Sequence, residues 1–163
     1  MKYNSEGTWQ WEYIWSAADY NDELTAIAFD SSNNIYLTGL RGTASSFNVS
    51  LIKVNDQGSY QWIQSWGGSE REEPSILIFD SEDNVYVGGT TTSFGAGGHD
   101  IFLIKYNIMG YFQGEYIWGG NVTEILRMIA LDSLENIYLT GITNSFGAGE
   151  YDIFLIKLTQ NVS

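Results

Sequence analysis

The sequence predicts an all-β protein made of three similar units. A ten-residue motif that begins with Asp-Ser starts at Asp30, Asp80 and Asp132, so it recurs about every 50 residues. Short apolar runs separated by turn residues surround each copy, and the single proline, Pro74, lies in a loop before such a run. Four short strands per unit, in units of this length, are typical of the blades of a β-propeller.

The first strand of each unit, strand A, is a short apolar run. It covers residues 25–29, 75–79 and 127–131. Apolar residues at nearly every position predict burial on both faces, as in the innermost strand of a stack of sheets. Residues 123–128 also suit a helix, but their alignment with the other copies favours a strand.

The repeated Asp motif predicts a tight hairpin after strand A. The carboxylates of Asp30, Asp80 and Asp132 can accept backbone N–H groups inside such a turn. An asparagine follows four residues later in each copy, and we expect it to take the left-handed backbone conformation. The motif therefore predicts a turn, and metal ligation is the less favoured interpretation.

Two further strands follow the hairpin in each unit. Strand B covers 34–38, 84–88 and 136–140, and strand C covers 49–54, 101–106 and 153–158. Strand C contains a lysine in every copy, at Lys53, Lys105 and Lys157. Its recurrence predicts a structural role, with the apolar stem packed along the sheet and the amine near the carboxylate of an adjacent hairpin.

An aromatic strand, strand D, completes the pattern. It covers 8–15, 59–66 and 111–118, and a turn with a glycine at Gly7, Gly58 or Gly110 precedes each copy. The shared glycine predicts a positive φ angle, which costs least without a Cβ atom. The tryptophans of strand D alternate with polar residues, which favours packing against the next unit over stacking on sugars.

The motifs together resemble the SBBP family of β-propeller repeats over essentially the whole chain. They read Asp-Ser-x-x-Asn-[Ile/Val]-Tyr-[Leu/Val]-x-Gly, then Ser-Phe-Gly-Ala-Gly-x-x-Asp-Ile-Phe-Leu-Ile-Lys, then an aromatic strand that ends in Trp. The second motif occupies 93–105 and 145–157. The first unit departs from it, because its loop is shorter and Asn48 replaces the Asp. The resemblance implies a propeller fold and transfers no catalytic residues.

The order of strands predicts an assembly. The chain contains an orphan outer strand at 8–15 and then blade units at about 24–66, 75–118 and 127–158, the last without strand D. Three blades are fewer than the roughly 4–8 that close a propeller, whereas two chains supply six. We therefore expect a homodimer in which 8–15 of each copy completes 153–158 of the other. A fragment of a longer propeller and a different oligomer are the alternatives.

Composition limits the partners. Twenty acidic and seven basic residues give a net charge of −13, which argues against nucleic acid and anionic membranes as partners. The absence of cysteine excludes disulfides, cysteine zinc sites and thiol nucleophiles. The residues after Met1 do not form the apolar run of a signal peptide, so the expected location is the cytoplasm, or outside the cell after processing.

The longer loops, between strands B and C and between strands D and A, predict a binding face. Its candidate ligand-binding residues are Tyr20, Arg41, Arg71, Glu72, His99, Asp100, Arg127 and Asp152. Asp100 and Asp152 end glycine-rich loops, where hydrogen bonds from the loop's own amides are favoured over calcium or a sugar hydroxyl. His99, the only histidine, is expected to be an exposed loop residue.

These features favour a non-catalytic, self-assembling binding or scaffold module of unknown ligand, without catalytic residues, metal or cofactor. A small ligand, a glycan or a protein is expected at the loop face. A carbohydrate-binding, lectin-like propeller is one alternative. A hydrolase or lyase with a site at the channel mouth is the other, and Glu72, Glu73 and Glu124 are the acids available to it.

Overall fold

A computed structural model describes residues 1–15, 20–43 and 45–159. All regular secondary structure in these ranges is β-strand, so the predicted all-β class is confirmed. The strands are β1 (Lys2–Tyr3), β2 (Trp9–Trp11), β3 (Asn21–Phe29), β4 (Ile35–Thr43), β5 (Ser46–Val54), β6 (Tyr60–Trp66), β7 (Glu72–Phe79), β8 (Val85–Thr91), β9 (Asp100–Tyr106), β10 (Phe112–Trp118), β11 (Glu124–Leu131), β12 (Ile137–Thr143) and β13 (Asp152–Leu158).

The strands form four antiparallel sheets, each with strands in chain order. The N-terminal hairpin is β1-β2, sheet 1 is β3-β4-β5-β6, sheet 2 is β7-β8-β9-β10, and sheet 3 is β11-β12-β13. None of the sheets closes on itself. Sheets 1 and 2 thus contain the four predicted strands A to D, and sheet 3 lacks a fourth strand beside β13 among the described residues.

Strand A begins earlier than predicted and strand B ends later in all three larger sheets, so Pro74, which was predicted to lie in a loop, lies within β7. Strand A of sheet 1 begins at Asn21 rather than at residue 25, and the predicted strand 8–15 is regular only in β2. The register of strand A shifts at the same point in each sheet, between Leu24 and Ala26 in sheet 1. Such a bulge increases the local twist and changes the direction in which the side chains before it point.

The Asp motif forms the predicted turn. Oδ1 of Asp132 accepts the backbone N–H groups of Leu134 and Asn136, each at 2.9 Å, and Oδ2 accepts the side-chain amide of Asn136 at 2.8 Å. The prediction that the asparagine has a positive φ is wrong. The residue before it does, at Asn33, Asp83 and Glu135 (φ 62°, 59° and 61°), because the asparagine's amide is directed to the carboxylate.

The strand C lysines lie where the sequence predicts. The Nζ atoms of Lys53 and Lys105 lie 3.4 Å and 3.2 Å from Oδ2 of Asp30 and Asp80. The third pair, between Lys157 and Asp132, is wider at 4.0 Å. Each lysine therefore ties strand C to the hairpin between strands A and B of its own sheet.

Two hydrophobic clusters join the three larger sheets face to face. Tyr36, Val49 and Leu51 of sheet 1 pack with Val87 and Phe102 of sheet 2. A second cluster joins sheet 2 to sheet 3 and contains Tyr86, Ile101, Leu103, Leu126, Ile129, Ile137, Leu139 and Phe154. Because strand C is apolar on both of its faces, β9 contributes to both clusters and is fully buried apart from Lys105.

The outer faces of the stack are apolar, and they are exposed except where Trp11, Tyr13 and Trp15 cover part of sheet 1. Ile27 of sheet 1 is 60% exposed, whereas Leu77 and Ile129, at the same repeat position, are 8% and 7% exposed. Leu155 of sheet 3 is 71% exposed, and its counterpart Leu103 is buried. We call the outer face of sheet 1 around Leu24, Ile27 and Phe29 the leading face. The outer face of sheet 3 around Met128, Ile153 and Leu155 is the trailing face.

The predicted burial of strand A on both faces is therefore wrong for β11, whose Met128 is 64% exposed, and for β3. Only Ala26 and Ala28 are partly buried in this strand, on the side that meets sheet 2. The other side belongs to the leading face. In sheets 2 and 3 the same side is buried, because an earlier sheet in the chain packs over it.

The N-terminal hairpin packs over the leading face at one edge. Nζ of Lys2 and Nε1 of Trp11 both donate to the carbonyl oxygen of Asp56, at 2.9 Å and 3.2 Å. Lys53 of sheet 1 donates at the equivalent place on sheet 2, to the carbonyl of Ile108 at 3.3 Å. The pairing Lys2↔Trp11 likewise repeats Lys53↔Trp62. The hairpin therefore has the position of the outer two strands of a further sheet, next to a cavity of about 660 Å³.

Candidate functional site

The same end of sheets 1, 2 and 3 carries most of the predicted site residues. Strand B ends there, strand C begins there, and strand A begins there. Arg41 pairs with Asn48, Thr91 with Asp100, and Thr143 with Asp152, near the end of strand B and the start of strand C. We call this end of the sheets the loop end.

Glu72 and Glu124 are buried at the loop end and hold loops together. Oε1 of Glu72 accepts the hydroxyl of Thr91 at 3.1 Å, and Oε2 accepts the N–H of Gly68 at 3.2 Å. Glu124 repeats both bonds with Thr143 and Gly120, each at 2.7 Å. Burial opposes ionisation of Glu124, but these donors outweigh it and hold its pKa below the ordinary value.

Asp100 is buried beside Glu124, where sheet 2 meets sheet 3. Its Oδ2 accepts the N–H of Ala96 at 3.1 Å, as expected for a carboxylate that closes its own loop. Its Oδ1 has no hydrogen-bond partner among the described residues. A Cβ atom on Gly119 would overlap this Oδ1 and lie 2.6 Å from Oε2 of Glu124, so the two carboxylates converge there.

Burial is the main cause that raises the pKa of Asp100. The N–H groups of Gly97 and Ala96 act in the opposite direction, the charge of Glu124 raises the pKa further, and His99 lowers it. A raised pKa beside a lowered one is typical of two neighbouring carboxyl groups, and Asp100 is the one of the two that takes up a proton first as the pH falls.

A related pair, in which an amide replaces one of the two carboxyl groups, lies between sheets 1 and 2. Asn48 takes the place of Asp100, and Glu72 takes the place of Glu124. A Cβ atom on Gly67 would lie 2.5 Å from Oδ1 of Asn48 and would overlap Oε2 of Glu72. Oδ1 of Asn48, like Oδ1 of Asp100, has no hydrogen-bond partner among the described residues. If the amide is turned over, its N–H can donate to Glu72 without an added proton.

Asp152 is the third member of the series, and no sheet follows sheet 3 within residues 1–15, 20–43 and 45–159. Its Oδ2 accepts the N–H of Gly149 at 3.0 Å. No carboxylate from another sheet faces it among the described residues. His99 is exposed, and its backbone joins sheet 2 to sheet 3 through hydrogen bonds with Val122 and Glu124. The sequence prediction of an exposed loop histidine is confirmed.

Arg41 and Tyr20 form a separate cluster at the loop end of sheet 1. The guanidinium carbon of Arg41 lies 4.7 Å from the centroid of the Tyr20 ring and 5.6 Å from that of Trp15. Nε of Arg41 is 3.9 Å from Oδ1 of Asp22, its partner in the β3–β4 pairing. These contacts present a positive charge between two aromatic rings and one carboxylate.

Arg71 and Arg127 line a groove along the inner strands β3, β7 and β11. This groove encloses about 360 Å³ and also receives Glu23 and Glu73. Nε of Arg71 donates to Oε1 of Glu73 at 2.5 Å. Arg127 is exposed, and no carboxylate lies within ion-pair distance of it among the described residues. The groove is polar, has charges of both signs and is wide enough for a small ligand.

Glu72 and Asp100 thus lie in the repeated contacts where two sheets meet at the loop end. Arg71 and Arg127 lie in one groove. Tyr20 and Arg41 lie together, and Asp152 lies at the free end of the stack. Sequence reasoning missed the threonine partners Thr91 and Thr143. The signal for these repeated contacts was present as the Gly-Gly pairs that follow Trp66 and Trp118.

The tryptophans of strand D are half-buried, except Trp9, which is 53% exposed. The Trp66 ring lies 4.7 Å from that of Phe102, and the Trp118 ring lies 4.9 Å from that of Phe154, as centroid distances. Within the described ranges no three of the His, Cys, Asp and Glu side chains are placed to hold a metal ion. The described part of the chain also contains no helix that is long and apolar enough to cross a membrane.

Comparison with protein-family models and with curated proteins finds no match to this chain. The SBBP resemblance therefore stays a prediction, and the function is argued from the residues and their geometry.

Proposed function

We propose that this protein is a non-catalytic binding or scaffold module that works as a ring of two chains. In this ring the three larger sheets of each chain are propeller blades, and the leading face of one copy packs on the trailing face of the other. Each interface joins two different surfaces, a leading face and a trailing face. The ring closes because two copies contribute six blades. The resemblance to SBBP repeats supports the same arrangement.

The exposure of the two end faces carries this proposal. Ile153 and Leu155 are 84% and 71% exposed on the trailing face, and their counterparts Ile101 and Leu103 are fully buried between sheets 2 and 3. The leading face is complementary for the same reason, since Leu77 and Ile129 are buried at the position of Ile27. Full burial of such a side chain contributes about 1.5–3 kcal/mol, so an uncovered face of this kind favours association.

The N-terminal hairpin supports strand exchange at the same interface. By analogy with β5 and β6, β13 pairs with residues 9–15 of the other copy, with Ile153 opposite Trp15 and Leu155 opposite Tyr13. Lys157 then takes the place opposite Trp11 that Lys2 occupies in the single chain. Strand β1 is consequently released on assembly, at the cost of a two-residue pairing.

The ring would surround a channel lined by β3, β7 and β11 from both copies. The groove that contains Arg71 and Arg127 opens onto this channel and is the proposed place for a small ligand, a glycan or a protein segment. Arg127 supplies an unpaired guanidinium there, which suits a carboxylate or another anionic group. The carboxylate contacts of Glu72, Asp100 and Glu124 between sheets have a structural role in this proposal, and none of them supplies a nucleophile.

The mass in solution tests the assembly. Multi-angle light scattering at micromolar concentration should give about twice the chain mass of 18.3 kDa. Leu155→Asp should return the mass to that of one chain without loss of β-sheet circular dichroism, because Leu155 is exposed in the single chain. Removal of residues 1–3 should tighten the dimer, because β1 no longer competes with Lys157. A mass near 18.3 kDa for the unmodified chain would contradict the proposal.

A further inference from the structure

One three-residue position recurs wherever two sheets meet at the loop end. Its members are a residue near the start of strand C in one sheet, the first residue of strand A in the next sheet, and the strand B residue of that next sheet that pairs with this strand A residue. The two complete copies are Asn48 with Glu72 and Thr91, and Asp100 with Glu124 and Thr143.

A third copy is divided between the two ends of the stack. Asp152 begins strand C of sheet 3, as Asp100 does in sheet 2. Asp22 and Arg41 occupy on sheet 1 the places of Glu124 and Thr143, since Asp22 pairs with Arg41 as Glu124 pairs with Thr143. When a trailing face meets a leading face, these three side chains therefore meet.

Charge distinguishes the divided copy from the two complete ones. The first complete copy has one carboxylate and a neutral amide, and the second has two carboxyl groups, of which Asp100 takes up a proton first as the pH falls. The divided copy has the two carboxylates of Asp152 and Asp22, and it has an arginine where both other copies have threonine. Arginine neutralises a second carboxylate through two parallel hydrogen bonds without any proton uptake.

Arg41 is already positioned for this contact. Its guanidinium lies between the rings of Tyr20 and Trp15 and near Asp22, in a single chain that has no partner. Asp152 accepts only one hydrogen bond from its own loop, and the Asp152 carboxylate is partly exposed beside the trailing face. The segment before Asp22 has Ser16 where the other copies have Gly67 and Gly119, so the glycine-lined fit of those copies is absent from the sequence here.

We propose that Asp152 of one copy binds Arg41 of the next copy, and that this ion pair sets the register of the end-to-end contact. This inference depends on the proposed self-assembly and names the residues that direct it. The partner surface is accordingly a second copy of this chain, recognised by one acidic and one basic position at the rims of two apolar faces.

A charge swap tests the pair. Arg41→Asp and Asp152→Arg should each weaken association by at least about 30-fold, because each leaves like charges together in a desolvated contact. The double variant should recover most of that loss. Glu150→Arg makes the same charge change as Asp152→Arg at an exposed position outside the pair and should leave the dimer dissociation constant within about threefold, as expected for a rim charge.

Sedimentation equilibrium measures the dissociation constants, and circular dichroism of diluted samples reports the fold of each variant. The milder changes Arg41→Gln and Asp152→Asn replace the reversals if these disturb the single chain, and they should show a smaller loss and the same coupling. A dimer that is insensitive to the single changes, or a swap that recovers nothing, would overturn the ion pair and leave the self-assembly intact. A wild-type chain that stays monomeric at all concentrations would overturn both.

Discussion

Replacement of Asp100 by asparagine should stabilise the protein at neutral pH. Asp100 is buried, and its Oδ1 has no partner among the described residues and faces Oε2 of Glu124. An amide nitrogen at that place can donate to Glu124 while the amide oxygen keeps the bond from Ala96. A buried polar group without a partner costs about 1–3 kcal/mol, so we expect Asp100→Asn to raise the free energy of unfolding by about that amount at pH 7.

The pH dependence fixes the sign of this effect. Burial raises the pKa of Asp100 in the folded protein above its ordinary value of 3.8, so the folded state holds the proton more tightly than the unfolded state. The stability that this proton contributes is fully present below pH 3.8 and is lost as the pH rises through the folded pKa. The advantage of Asp100→Asn should therefore be largest at pH 7 and disappear near pH 3.8.

Urea unfolding of both proteins at several pH values between 3.5 and 7 measures this difference. The linked effects of other groups are common to both chains and cancel in the comparison. Asn48→Asp creates a second carboxylate pair beside Glu72 and should destabilise at pH 7, which makes it the converse control. The reasoning would be refuted if Asp100→Asn were no more stable than wild type at pH 7, or if its advantage did not change with pH.

Three further predictions concern single side chains. In the monomer, Leu103→Ala should lower the free energy of unfolding by about 2–5 kcal/mol, and Leu155→Ala at the same repeat position should change it by less than about 0.5 kcal/mol, as measured by urea unfolding. Gly119→Ala should lower the melting temperature because its Cβ overlaps a buried carboxylate oxygen, whereas Gly149→Ala meets nothing closer than 3.7 Å and should have little effect. The side-chain amide of Asn136 lowers the pKa of Asp132 to about 2, so a carbon NMR titration should show this carboxylate ionised down to that pH; a midpoint near 3.8 would contradict the hydrogen-bond assignment.

The linkage sign for Asp132 is opposite to that for Asp100. Its folded pKa lies below the unfolded value, so the stability it contributes is present above pH 3.8 and is lost as the pH falls through about 2. Acid therefore weakens the hairpin turns and strengthens the carboxylate pair between sheets 2 and 3. The two effects can be separated by the Asp100→Asn variant, which removes only the second.

Local structure was largely predictable because it depends on near neighbours in the chain. The Asp-Ser motif predicts the turn at Asp30, Asp80 and Asp132, and all three carboxylates accept the hydrogen bonds expected of them. Gly7 and its counterparts have the predicted positive φ angles. The prediction placed the positive φ angle at the asparagine of each turn, whereas the structure places it one residue earlier, because the asparagine side chain binds the aspartate carboxylate.

The candidate site was predictable in composition and only partly in arrangement. The sequence identified Arg41, Glu72, Asp100 and Asp152 as loop-end residues, and the register places them there. It did not predict that Glu72 and Asp100 are buried where two sheets meet. Burial depends on which sheet packs over which, and no local pattern in the chain contains that information.

The repeat in the sequence determined the strands, the turns and the count of three units, since each of these follows from spacing and from the chemistry of adjacent residues. Only the tertiary structure decided which of the chemically similar positions are buried and which are exposed. Ile27 matches the buried Leu77 and Ile129 in type, and Leu155 matches the buried Leu51 and Leu103. Both are nevertheless exposed, because they lie at the two ends of the stack. A repeated sequence specifies equal faces, and packing leaves the first and last of them uncovered, which is the physical basis of the proposed assembly.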